Sequence, residues 1–396
     1  MLKNFTARSQ VIVATSIAHF ANDASISLPP AVLPILKEEF NLNYAAAGAV
    51  ITSFVLLMMA FQAVTGYMAD RRNRMTLLCL GLATLGAGTI LISFSINYLQ
   101  LLAFTCLAGI GGSFFHPIGY SLLSDTFESE SRGKALGLGS ASGDIAIPVA
   151  FASSGVLVLF FNWRMIFMFW GLVSIFVAAM LPLIIRESKK KESHFNAVGN
   201  SNSTAKTLWT LIPVIIVMGL IAGCFRIAST FTTTYLKTFG LGIASANFIF
   251  ALMMCVGAVG AIVGGTLIEK LGEKRTVTAE MVMLGVLSLI SIYTSNIYFL
   301  CFIIVIIGFF LLGVWPSFYS VIAKATSLGT RAFMYGLLFA VAWSFASFWP
   351  YLSGVCADIF GIQITYILIG VLSLLGALIA YFIFTSDRLM NRDVRV

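Results

Sequence analysis

Five ionisable side chains, His19, Asp23, His116, Asp144 and Arg226, lie inside long apolar runs. Each costs at least a few kcal/mol to place alone in a bilayer, so such groups face a polar cavity and pair with one another. His19 and Asp23 are four residues apart, which puts both on one face of a helix. Imidazole titrates near neutral pH, and a buried carboxylate can approach that range, so His19, His116 and Asp144 form a candidate proton-exchange layer. At about 1.5 Å per residue they lie ~12–15 Å from the cytoplasmic helix ends. Asp23 and Arg226 lie a turn or two farther and read as a second layer, an ion pair that a proton or an anionic substrate opens. The plainer alternatives are a fixed ion pair for Asp23 and a hydrogen bond to neighbouring backbone for His116.

Arg226 begins a stripe with Thr230, Thr233 and Thr234, spaced by four, seven and eight. A fixed cation among hydroxyls suits a carboxylate, phosphate or phosphonate, although hydroxyls also serve as interhelical hydrogen bonds. Arg226, Asn22, Tyr120, Thr230, Trp315 and Tyr319 are the candidate substrate contacts, with Trp343 and Trp349 as further apolar wall. Such aromatics equally serve as packing or interface anchors. No Walker loop, dinucleotide fingerprint or metal-ligand run occurs, and Cys79, Cys106, Cys224, Cys255, Cys301 and Cys356 have neither zinc nor disulfide-framework spacing. The expectation is no cofactor, no metal and no enzymatic reaction, with energy drawn from an ion or substrate gradient.

The elements that position these groups follow from composition. Of 396 residues, 59% are hydrophobic and 10% charged, against roughly a quarter charged in soluble domains; mean hydropathy is +0.97. About 20 apolar residues span a bilayer, and twelve segments qualify: 10–33, 44–68, 75–95, 98–123, 134–160, 164–185, 208–236, 244–268, 277–295, 298–323, 332–356 and 362–385. They are apolar nearly all round, unlike amphipathic helices of a soluble core. The first contains His19, Asn22 and Asp23 and lacks a small-residue cleavage site, so it reads as a retained helix.

With both termini cytoplasmic, 20 of the 24 basic residues fall inside; Lys37, Arg164, Lys237 and Arg226 do not. That asymmetry accounts for the net charge of +8 without nucleic acid as a partner. The polar stretch 186–206 reads as a cytoplasmic linker between two halves, 1–185 and 207–396. The halves repeat: Gly66 and Gly265, Asp70 and Glu269, Pro117 and Pro316, Tyr120 and Tyr319, Arg132 and Arg331, and Gly171 and Gly370 are each 199 positions apart. A constant offset predicts two six-helix bundles related by pseudo-two-fold symmetry.

The loop Gly66-Tyr67-Met68-Ala69-Asp70-Arg71-Arg72-Asn73-Arg74 resembles the G-x-L-A-D-R-x-G-R-K signature of the major facilitator superfamily, with Asn73 at the second glycine. Gly265-Thr-Leu-Ile-Glu269-Lys270-Leu-Gly272-Glu-Lys274 is its second-half counterpart. The resemblance implies an all-α integral membrane fold of 12 transmembrane helices, and a cytoplasmic gate in which Asp70 and Glu269 work with Arg71, Arg74, Arg132 and Arg331. His19-x-x-Asn22-Asp23 and Phe115-His116-Pro117 resemble the fosmidomycin-resistance branch of drug efflux proteins. Ile118 stands where that branch has glutamate, Thr105 where many drug antiporters have arginine, and Gly143-Asp144-Ile145-Ala146-Ile147-Pro148 where their helix-5 motif ends in G-P.

The resulting expectation is a monomeric, multi-pass carrier in a bacterial or archaeal plasma membrane. It exports a small organic compound, anionic in one reading, in exchange for protons by alternating access. Proton-coupled uptake of a metabolite anion is the alternative, and a passive channel or membrane sensor a third.

Overall fold

The computed structural model describes residues 7–185, 201–326 and 331–383. The chain divides into two compact units, Met1–Ser193 with Gly240–Ala251, and His194–Phe239 with Leu252–Val396. The first carries α1 (Ala7–Ala31), α2 (Leu33–Glu39), α3 (Tyr44–Arg71), α4 (Arg74–Ser93), α5 (Tyr98–Gly112), α6 (Phe115–Thr126), α7 (Ser129–Phe160) and α8 (Trp163–Ile184). Then follow α9 (Ser201–Thr238), α10 (Ile243–Ser291), α11 (Ile297–Gly313), α12 (Trp315–Ala325), α13 (Arg331–Ala346), α14 (Trp349–Phe360) and α15 (Ile364–Ile383). Of the expected linker 186–206, residues 186–200 lie outside the described residues, and the last six are already helical in α9.

Eleven described helical stretches are long and apolar enough to cross a membrane, and the 49 residues of α10 hold two of the twelve expected spans. No loop separates these two. Gly272, at φ 80° and ψ 161°, turns the chain within one residue, in a region of backbone space essentially reserved for glycine. In the first unit the equivalent position is Asn73, which has an ordinary extended backbone and caps α4 by accepting from the Thr76 N–H at 2.8 Å.

Proline explains the other interruptions. Pro117 and Pro316 lie just inside α6 and α12, where a missing N–H is tolerated but the preceding helix cannot continue through it. The Ser113 carbonyl, four residues before Pro117, instead accepts the Thr65 hydroxyl at 3.0 Å.

The 199-residue repeat recurs as contacts inside each unit. Ser25 meets Ser174 at 3.0 Å as Cys224 meets Ser373 at 3.5 Å. Asn97 and Asn296 both cap the helices that follow them. Gly86 crosses Gly171 backbone to backbone as Gly285 crosses Gly370, and Gly109 lies on the Phe54 carbonyl as Gly308 lies on that of Met253. Without a solvent-driven force between helices, such small-residue crossings maximise van der Waals contact. Arg164, an outlier to the charge asymmetry, donates to the carbonyls of Ser93 (2.9 Å) and Ser95 (2.8 Å) and to Glu39 (3.0 Å).

Candidate functional site

In the first unit, α1 presents His19, Asn22 and Asp23 to α6 and α7. His19 Nδ1–H donates to the Gly139 carbonyl at 2.8 Å, and Nε2 stands 3.3 Å from Asp23 Oδ2. The carbonyl requires a proton on Nδ1, and the Nε2–Oδ2 contact requires one more proton between ring and carboxylate, held either as imidazolium with carboxylate or as imidazole with carboxylic acid. Asn22 Nδ2 donates to the other Asp23 oxygen at 2.9 Å. Asp23 is thus drawn into the His19 group, where the sequence placed it in a separate layer with Arg226. The reason is the i, i+4 spacing on α1, which holds carboxylate and imidazole side by side.

Aromatic rings position the group. His19 stacks on Phe115 at 4.3 Å, meets His116 edge-on at 5.4 Å and Tyr120 at 5.9 Å, and His116 stacks on Tyr120 at 6.0 Å. His19, Asp23 and His116 bring ligand atoms within 4.8 Å of one another. Two imidazoles and a carboxylate so close can share a proton or hold a divalent cation. Sequence spacing did not show this trio because His116 arrives from a different helix.

Asp144 follows Gly143 on α7, and that glycine makes the packing possible. A Cβ there would collide with His19 Nε2 and lie 2.8 Å from Asp23 Oδ2. The sequence placed Gly143 in the helix-5 motif beside Asp144, but gave it no packing role, since the close approach of α1 to α7 is not visible along one helix.

The second unit answers differently at the equivalent positions. Trp315 and Trp343, 199 residues beyond His116 and Asp144, stack at 5.7 Å with planes 3° apart. Phe339 stacks on Trp315 at 5.6 Å and Tyr319 on Phe339 at 5.3 Å. The Arg226 guanidinium lies over Trp343, 4.8 Å from the ring centre. Along α9, Thr230 and Thr234 are buried, and no described residue hydrogen-bonds their hydroxyls. A cation, an aromatic wall and two hydroxyls therefore lie on α9 and α12–α13, a set suited to an anionic group with an apolar body.

At the loop signatures, Asp70 and Glu269 are exposed. Arg74, expected beside those carboxylates, is engaged by Asp125 on α6 at 2.5 Å. Arg71 covers the Tyr67 ring at 4.1 Å, and Arg132 donates to the Phe127 carbonyl at 3.2 Å. The side chain of Arg331 lies outside the described residues. In the second unit Glu273 accepts from Lys324 and from the Ser320 hydroxyl, both at 2.5 Å. Burial alone would raise this carboxyl, but the two donors outweigh it and hold it below the ordinary glutamate range. Asp125, Glu273 and Lys324 were not legible as partners in the sequence, because each pair closes over about 50 residues.

The family model of the Major Facilitator Superfamily matches residues 15–297 and 244–394. The chain is 26% identical over 383 residues to the fosmidomycin resistance protein of Escherichia coli (strain K12), covering 93% of this chain and 91% of that protein. It is 22% identical over 391 residues to the uncharacterized MFS-type transporter YfnC of Bacillus subtilis (strain 168), covering 96% and 93%. A crystal structure of a bacterial homologue of the human lysosomal transporter Spinster superposes with a TM-score of 0.83 at 19% identity, covering 99% of this chain and all of that one.

Proposed function

Because this chain belongs to the Major Facilitator Superfamily, we propose that it is a proton-coupled antiporter that exports a small organic anion by alternating access. The observation that carries the proposal is the His19–Asp23 pair, in which both imidazole nitrogens face oxygen atoms. The pair loads a proton in the form the geometry satisfies. Losing it leaves an imidazole lone pair against a carboxylate, so the two protonation states favour different arrangements of α1 against α6 and α7. His116 and Asp144 are the groups through which the proton arrives and leaves. Arg226 with Trp343, Trp315, Thr230 and Tyr319 binds the cargo, with Asn22 and Tyr120 at the protonated side. Asp70, Arg71, Arg74, Arg132, Glu269 and Arg331 form the cytoplasmic gate, and the halves 1–185 and 207–396 act as the two bodies of the cycle. A relative named for resistance to a compound supports export. The working form is a monomer in the cell membrane with both termini cytoplasmic.

Purified protein in liposomes with an interior pH dye tests the proposal, using a panel of amphiphilic drugs and organic anions. Substrate and protons moving in opposite directions support antiport. Movement in the same direction establishes symport, the alternative that the same residues serve. Flux far above carrier rates, or proton coupling intact in both Asp23→Asn and His116→Ala, overturns it.

A further inference from the structure

The second leg of α10 buries a carboxylate that the proposed cycle does not use. Glu280 is 3% exposed, no described residue hydrogen-bonds either carboxylate oxygen, and no described ion pair reaches it. Oε1 occupies the space left by two glycines: a Cβ at Gly264 or at Gly313 would lie 2.8 Å from it. In the first unit the arrangement is inverted. Gly81 takes the place of Glu280 and Phe114 that of Gly313, and there the phenylalanine fills the contact. The second unit has exchanged an aromatic packing contact for an acid.

The carbonyls at the break beside Glu280 lose their regular helical donors. Pro316 has no N–H for the Leu312 carbonyl, which the Val314 N–H, two residues on, reaches instead. The Ser317 N–H turns to the Val314 carbonyl at 3.2 Å, so Gly313 loses the donor that its counterpart Phe114 keeps from Ile118 at 3.4 Å. In the first unit the carbonyl freed by proline is satisfied by the Thr65 hydroxyl. The position equivalent to Thr65 is Gly264, which has no side chain. Its Cβ position would be crowded by both the Gly313 carbonyl and Glu280 Oε1. Ser317, one turn beyond Gly313, also buries a hydroxyl oxygen with no described partner. An ionised carboxylate adds another acceptor beside backbone carbonyls already short of N–H donors, whereas a carboxylic acid supplies an O–H to them.

We propose that Glu280 is a proton-binding site of the second unit, occupied as the neutral acid and donating its O–H to the carbonyls at the α11–α12 break. It does in protonated form what the Thr65 hydroxyl does permanently in the first unit. The break between α11 and α12 therefore becomes sensitive to proton occupancy. The charged groups on the elements around it are Glu269 and Lys270 on the first leg of α10, Glu273, Lys274 and Arg275 on the second, and Lys324 on α12. Lys324 is held by Glu273, and Lys274 lies over the Tyr381 ring at 4.1 Å. Tyr319 on α12 turns its ring onto Phe339. This site is built from α10, α11 and α12, the His19 group from α1, α6 and α7, and it survives or fails independently of the antiport reading.

Infrared spectra of the full-length protein in lipid nanodiscs, wild type against Glu280→Gln, test the assignment. The expected result is a carboxylic-acid C=O band at pH 7 that shifts in heavy water and is lost in the variant. Carbodiimide labelling of the wild type gives a second readout that needs no variant, because these reagents attack protonated carboxyls in apolar surroundings. Mass spectrometry should then find an adduct on Glu280 that declines as pH rises. An unchanged band in a folded Glu280→Gln protein, or no adduct at any pH, overturns the proposal. So does loss of the band on adding sodium at constant pH, which would reassign the site to a metal cation.

Discussion

Lys324 sets its ammonium 2.5 Å from Glu273, at the positions where Arg74 and Asp125 meet in the first half with the charges exchanged. Each partner is 199 residues from its counterpart of opposite sign. A two-fold repeat has thus kept the place and the length of an ion pair while reversing its polarity. Either order ties the start of one helix to the end of another.

The second pair carries a pH signature. Glu273 is held below the ordinary carboxylate range, so its stabilising contribution is complete above roughly pH 4.5 and lost as pH falls below that. Lys324 is half exposed, which limits the contribution to about 0.5–1 kcal/mol. Thermal unfolding in detergent should show Glu273→Gln less stable than wild type at pH 7, with the gap closing toward pH 3.5. A gap that widens on acidification contradicts the assignment.

Gly143→Ala forces a methyl against His19 Nε2 and Asp23 Oδ2. The protein should fold, because the rest of α7 is unchanged, but substrate-driven proton movement should fall about tenfold or more, the effect of roughly 1.4 kcal/mol. Gly137→Ala, where no atom lies within 4 Å of the added carbon, is the control and should couple normally. Equal coupling in the two variants removes Gly143 from the site.

Gly308 and Gly336 separate packing glycines from idle ones. A Cβ on Gly308 would collide with the Met253 carbonyl, and overpacking of this kind costs about 1–3 kcal/mol. Gly336 has open space, so alanine there should be neutral or stabilise by up to about 1 kcal/mol through helix propensity. Melting temperatures of the two alanine variants should move in opposite directions or differ clearly.

Gly272→Ala should cost about 1–3 kcal/mol, because its φ of 80° with ψ of 161° admits few other residues. Gly272→Asn should be no better, since asparagine tolerates the left-handed helical region and not this one. At the equivalent position Asn73→Ala should cost ~1 kcal/mol for a different reason, the lost cap on the Thr76 N–H. Unfolding midpoints of the three variants measure this.

Twelve apolar segments, their basic flanks and the 199-residue offset were legible from residue types alone, because lipid imposes one rule on every spanning helix. His19, Asp23, His116 and Asp144 were legible for the converse reason, that an ionisable group in an apolar run has few innocent explanations. Glu280 escaped notice near the start of a span, where a glutamate looks like a flanking residue. Arg74 stands in the signature loop between α3 and α4, but its carboxylate partner Asp125 lies 51 positions away and was not legible.

The sequence by itself determined the class of protein and the number of spans, since these depend on composition and on spacing along one helix. Only the tertiary structure decided who pairs with whom. Lys324 chooses Glu273, Asp23 joins His19, and Gly143 leaves the room that both require, because those outcomes depend on how closely two backbones approach. That approach is set by glycines and prolines distributed over several helices, and its pattern is invisible until the helices are packed.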